Sequence, residues 1–185
     1  MRYQAIRLGL SLVLLFSMCI VAKTQTVRIM PLGNSITYDE NGEDKTNPRP
    51  AGQRKSYRYQ LYQLMVAEDY DFDFVGNKNS GNDYFQDTEY DDNAGFPGIN
   101  VEQLSTLINT GYNERDGIEE SEHAYLVDYP ADIILLHIGT NDLESTSTSD
   151  VAYLLDRIRF YSPDAIVLVA EIINRANYDI STTSF

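Results

Sequence analysis

The sequence predicts an α/β fold, a three-layer α/β/α sandwich with a parallel sheet at its centre. Residues 27–32 and 132–138 are apolar at nearly every position, as strands covered on both faces must be. Segments of helical period separate the strand-like runs, in the order β-α-β-α-β-α-β. Right-handed crossovers then return the chain to one strand direction each time.

Taken in order, residues 1–22 carry Arg2 and Arg7 and then an apolar run, the layout of a secretory signal peptide with cleavage after Ala22. The run is short for a membrane span. It implies a secreted protein, extracellular or periplasmic. Cys19 is the single cysteine and follows Met18, where a lipoprotein signal wants a small residue. The mature chain therefore has no disulfide, no catalytic thiol and no cysteine zinc site. About 160 residues remain, enough for one domain over 27–185.

The formal charge is −14, and two units more negative once the leader's arginines go. Such a surface repels phosphate backbones and anionic headgroups, which argues against nucleic acid and against electrostatic membrane binding; stable membrane insertion is not expected either. A neutral small-molecule or polysaccharide ester suits it better.

The first strand is 27–32. Residues 56–68 follow as a helix, with Tyr59, Tyr62, Leu64, Met65 and Val66 near helical spacing. A short strand at 72–75 is closed by Gly76. Residues 101–108 place Val101, Leu104, Leu107 and Ile108 on one helical face. The 132–138 strand is central. A helix over 151–161 is started by Ser147 or Ser149 and closed by Pro163, before a last strand at 165–172.

Two motifs follow strands directly: Gly33-Asn34-Ser35-Ile36-Thr37 and Gly139-Thr140-Asn141-Asp142. Both fall at the carboxyl edge of the sheet, where ligands of parallel sheets bind. Ser35 is the candidate nucleophile, Gly33 permits a tight exit from the strand, and the Ser35 N–H can face an oxyanion. Thr37 stands where the nucleophile elbow G-x-S-x-G needs glycine, so that family is not indicated.

These residues resemble the SGNH hydrolases, or GDSL-type esterases. The stretch from Ile29 to Thr37 is similar to their first block, Leu136 to Asp142 to the third, and Asn93-Ala94-Gly95-Phe96-Pro97-Gly98-Ile99 to the glycine block, with Gly98 the better match. Asn34 replaces the usual aspartate, which is not the triad acid. The resemblance implies a flavodoxin-like sheet, attack by Ser35 on an acyl carbonyl, and oxyanion donors from Ser35, Gly98 and Asn141, with no metal or organic cofactor. Pro31 to Thr37, Tyr57-Arg58-Tyr59 and Leu136 to Asp142 look most like the secreted carbohydrate esterases near acetylxylan esterases. Lipid acyl hydrolases share the same three blocks.

The family's aspartate and histidine come from a D-x-x-H block after the last strand, and no such block follows Ile172. A complete domain needs roughly 40 to 80 further residues for the elements that carry it. His137 is expected to pack inside the central strand with its ring nitrogens satisfied. His123, at the end of Glu120-Ser121-Glu122-His123, is expected in a solvated acidic loop at the amino edge, since reaching Ser35 would take an unusual excursion. Asp69, Asp71 and Asp73 alternate as in a calcium loop, but Phe74 and Ser80 break the pattern. Tyr84, Phe85 and Tyr90 either form a sugar-stacking wall or pack within their loop. The Arg49 and Arg54 loop borders the site.

The sequence thus reads as a serine esterase acting on acyl, chiefly acetyl, esters of carbohydrate, lacking its base and triad acid and so inactive by itself. The alternatives are a lysophospholipase-like lipid acyl hydrolase and a non-catalytic glycan-binding module.

Overall fold

The long apolar run of the first strand is explained by its position: β1 (Val27–Gly33) has helices on both sides. The computed structural model describes residues 25–39, 46–47, 56–80, 90–142 and 147–171. The leader, Arg49, Arg54, Tyr84, Phe85 and the last strand beyond residue 171 lie outside the described residues.

After β1 come the one-turn helix α1 (Ser35–Tyr38), α2 (Tyr57–Ala67), β2 (Phe72–Phe74), β3 (Lys78–Asn79), β4 (Asp92–Gly95) and α3 (Val101–Thr110). A small hairpin of β5 (Tyr112–Asn113) and β6 (Ile118–Glu119), α4 (Tyr125–Asp128), β7 (Ile133–His137), α5 (Thr148–Tyr161) and β8 (Ile166–Val169) complete the described chain. The sheet order is β3-β4-β1-β7-β8, with β2 also beside β1. All pairings are parallel except β3 with β4.

β7 runs along one side of β1, from Ile29 opposite Ile133 to Gly33 opposite His137. The other side is shared end to end: β2 pairs with Val27 to Ile29, and β4 with Leu32 and Gly33. The sequence predicts a single strand there, at 72–75, and none at 92–95. β2 is only three residues long, so half of that edge needs a second partner. β4, with the sequence Asp-Asn-Ala-Gly, carries no β-branched or aromatic residue to announce it. Its stability comes instead from Asn93, whose buried amide donates to the carbonyls of Lys78 and Asp91 and to Ser80 Oγ while its Oδ1 accepts from Gly95 N.

Successive residues of β1 face opposite layers. Met30 and Leu32, with Ala94, Ile134 and Leu136, meet α3, α4 and α5. Ile29, with Phe72, Phe74 and the half-buried Ile133 and Leu135, meets Tyr62 of α2. Tyr90 belongs to this second cluster, its ring centroid 4.8 Å from Tyr62 and 4.9 Å from Phe72, so of the two readings for Tyr90 packing holds.

Caps close the helices as their sequences require. Ser56 accepts from Arg58 N at the start of α2, Asn100 and Gln103 form a reciprocal box on α3, and Gly111 ends α3 in the left-handed region. Ser147 and Asp150 form the equivalent box on α5. β8 pairs only with β7 among the described residues, and its Ile166 and Leu168 are 59% and 55% exposed. No described helix is long and apolar enough to cross a membrane.

Candidate active site

Gly33 has no room for a side chain: a Cβ there would lie 2.1 Å from the carbonyl oxygen of His137. The chain leaves β1 at this close approach, and Asn34 caps α1 by accepting Ile36 N at 3.0 Å through Oδ1. Ser35 is therefore the first helical residue, and its N–H has no partner within the helix.

A four-residue helix does not hold itself together. Its far end is fixed from outside, where Arg58 Nε donates to Thr37 O at 2.9 Å and Ser80 Oγ donates to Tyr38 O at 2.8 Å. The Arg58 guanidinium, 1% exposed, also reaches Asp91 O, Ser80 O and Ser80 Oγ. Thr37 Oγ1 and Tyr57 OH pair at 3.3 Å.

The second wall follows β4. Phe96 N donates to Gly33 O at 2.8 Å, tying this segment to the end of β1 that leads into Ser35. Phe96-Pro97-Gly98-Ile99 then closes with Ile99 N on Phe96 O, and Gly98 has φ +79°. Proline followed by glycine at positive φ marks a type II turn. Gly95 N is engaged by Asn93 Oδ1, which leaves Gly98 as the glycine of this block with an unspent N–H. Neither the Ser35 nor the Gly98 N–H donates to a protein acceptor among the described residues.

The third wall is the loop after β7. Asn141 Nδ2 donates to Ile99 O at 2.9 Å, beside Gly98, and an amide nitrogen keeps a second hydrogen for a ligand. Asp142 is buried and accepts Val101 N at 3.0 and 3.3 Å through its two oxygens, placing a carboxylate on the first turn of α3. The blocks of Ser35, Gly98 and Asn141 are thus bonded to one another at the carboxyl ends of β1, β4 and β7.

His137 lies on β7 opposite Gly33, buried, but both ring nitrogens are without a partner among the described residues. This corrects the expectation that they would be satisfied. Burial lowers the imidazole pKa, so the ring is neutral at pH 7. His123 is exposed and paired with Asp128 at 2.9 Å, beyond the far end of α3 and away from the crevice. Its neighbour Glu120 is not solvated as the sequence suggested, because Lys78, Asn77 and Asn113 bond it in the interior. The Ser35 hydroxyl, the unspent N–H groups of Ser35 and Gly98 and the Asn141 amide thus stand on linked segments, and neither histidine bonds Ser35 among the described residues.

No protein-family model matches the chain. A multidomain esterase from Ruminococcus flavefaciens is 34% identical over 149 residues, 75% of this chain and 18% of that protein. The Clostridium thermocellum family 3 carbohydrate esterase superposes with TM-score 0.58 at 27% identity, over 78% of this chain and 61% of that one. These similarities are consistent with the SGNH hydrolase superfamily, in its carbohydrate esterase branch. A family 3 carbohydrate esterase from Talaromyces cellulolyticus, 19% identical with TM-score 0.55, shares the fold over the same portions, 78% of this chain and 61% of that one. The chain therefore spans about three-fifths of these solved structures and under a fifth of the multidomain relative.

Three supporting residues are not singled out by the sequence: Arg58, Asp142 and Arg115, which lies on Gly98. Arg58 stood inside a quoted motif and Asp142 directly after Asn141, so proximity to the blocks was the available signal. Arg115 had none.

Proposed function

We propose that this chain supplies the nucleophile and oxyanion donors of a secreted esterase that removes acyl groups, chiefly acetyl, from carbohydrate. The observation that carries the reading is the pair of unspent N–H groups on Ser35 and Gly98, with the Asn141 amide bonded in beside them. Ser35 Oγ attacks the acyl carbonyl, and the three donors take up the charge on the tetrahedral oxygen; each is worth on the order of 3 kcal/mol in such holes. The alkoxide of the sugar leaves, and water releases the acyl group from Ser35. The named esterase relatives support the acyl chemistry and the carbohydrate acceptor.

The proton of Ser35 needs an acceptor, and neither of the two histidines bonds Ser35 among the described residues. Loss of a triad member costs about 10⁴- to 10⁶-fold in serine hydrolases, so the 185-residue chain alone should turn over 4-nitrophenyl acetate at background rate. The protein expressed from the complete reading frame of its locus should cleave that ester and acetylated xylan, and Ser35→Ala should abolish both. Turnover by the 185-residue chain that Ser35→Ala removes would overturn the missing-base reading. Preference for long-chain over acetyl esters would favour a lipid acyl hydrolase. The unpartnered nitrogens of His137 and the exposed His123 favour a second reading, a glycan-binding module without catalysis, which binding of xylan with no turnover by the complete protein would support.

A further inference from the structure

We propose that Arg115 is a positioning residue of the oxyanion site, locking the Gly98 peptide and lending it positive potential. The inference rests on the assignment of Gly98 as an oxyanion donor. Connections from a helix to the next parallel strand ordinarily stay at the amino edge, but here the β5–β6 hairpin turns back along α3. Its tip places Arg115 against the turn at the opposite edge. Arg115 Nη1 donates to Gly98 O at 3.1 Å, and the guanidinium carbon is 2.3 Å from where a Gly98 Cβ would be. The positive φ of this position favours glycine, and the absence of a Cβ lets the guanidinium lie directly over it.

Glycine is the most mobile of residues, and a donor that serves a transition state must not reorganise. In the Phe96–Ile99 turn the carbonyl of Gly98 is held by Arg115 and that of Ile99 by Asn141. The Gly98 N–H belongs to the Pro97–Gly98 peptide at the centre of this turn; Arg115 on Gly98 O and Phe96 O on Ile99 N hold the peptide that follows it, and so close the turn that aims the N–H. Charge matters as well. The protein carries −14, and Glu114, Asp116 and Glu119 flank Arg115, a field that opposes a developing oxyanion. The guanidinium sets a positive charge against the carbonyl of the residue whose N–H is the donor; Asp116, 4.0 Å away and 48% exposed, offsets it only in part.

The test uses the protein from the complete reading frame, the neutral substrate 4-nitrophenyl acetate, and phenylboronic acid as a tetrahedral mimic. Arg115→Met is expected to lower kcat about 10- to 100-fold with KM within about twofold, and to weaken the boronate by a similar factor. Arg115→Lys, which keeps the charge without the fork, should recover part of both losses. Arg115→Gln gives the same comparison should the methionine variant fold poorly. Unchanged kcat and boronate affinity in Arg115→Met or Arg115→Gln, with Ser35→Ala inactive, would overturn the role of Arg115 alone. Retained turnover in Ser35→Ala would overturn the site assignment beneath it.

Discussion

At the scale of single residues, the least comfortable side chain is His137. Its buried nitrogens bond to nothing among the described residues, and an unsatisfied buried polar group costs about 1–3 kcal/mol. Because burial lowers its folded pKa beneath the ordinary 6.5, the unfolded chain binds the proton more readily than the folded one. Its contribution is therefore complete above about pH 6.5 and is lost as the pH falls through that value toward the folded pKa. His137→Leu should raise stability by about 1 kcal/mol at pH 7.5 and by more at pH 5, read from urea melts at both. An equal effect at the two pH values would show that the ring is not held neutral. Ser35, Gly98 and Asn141 were legible in the sequence because motif words name them. The buried or folded-back charges of Arg58, Asp142 and Arg115 were not, since composition assigns such residues to the surface and only the fold says which are enclosed.

At the scale of elements, α3 is where the site and the scaffold are joined. Its first N–H is held by Asp142 from the loop after β7, so the start of the helix and the Asn141 loop move as one unit. Asp142→Ala should cost about 2 kcal/mol by chemical denaturation, and Asp142→Asn about half of that, since the amide oxygen still accepts but carries no charge. A variant as stable as the parent would mean that the Asn100 box caps α3 by itself. The long strands and the three longer helices were readable from period and caps. β4 and the β5–β6 hairpin were not, because strands of two and four residues are too short to show a period; register with β1, and the path of the chain around α3, decide them.

At the scale of the molecule, one sheet edge stands out. β8 offers backbone groups that no described strand bonds, beside Ile166 and Leu168 on a single uncovered face. The isolated 185-residue chain should associate or melt without a sharp transition at tens of micromolar. Replacing Ile166 and Leu168 together by lysine should shift it toward monomer in size-exclusion chromatography with little change in thermal midpoint. A parent chain already monomeric with a steep melt would sink this expectation. The opposite quality is found at Arg58, whose partners in three separate segments are chiefly peptide carbonyls. Every amino acid brings the same carbonyl, so of positions 37, 80 and 91 only Ser80 adds a side chain to what Arg58 holds. Substitutions elsewhere around the crevice can then leave the mounting of Ser35 unchanged.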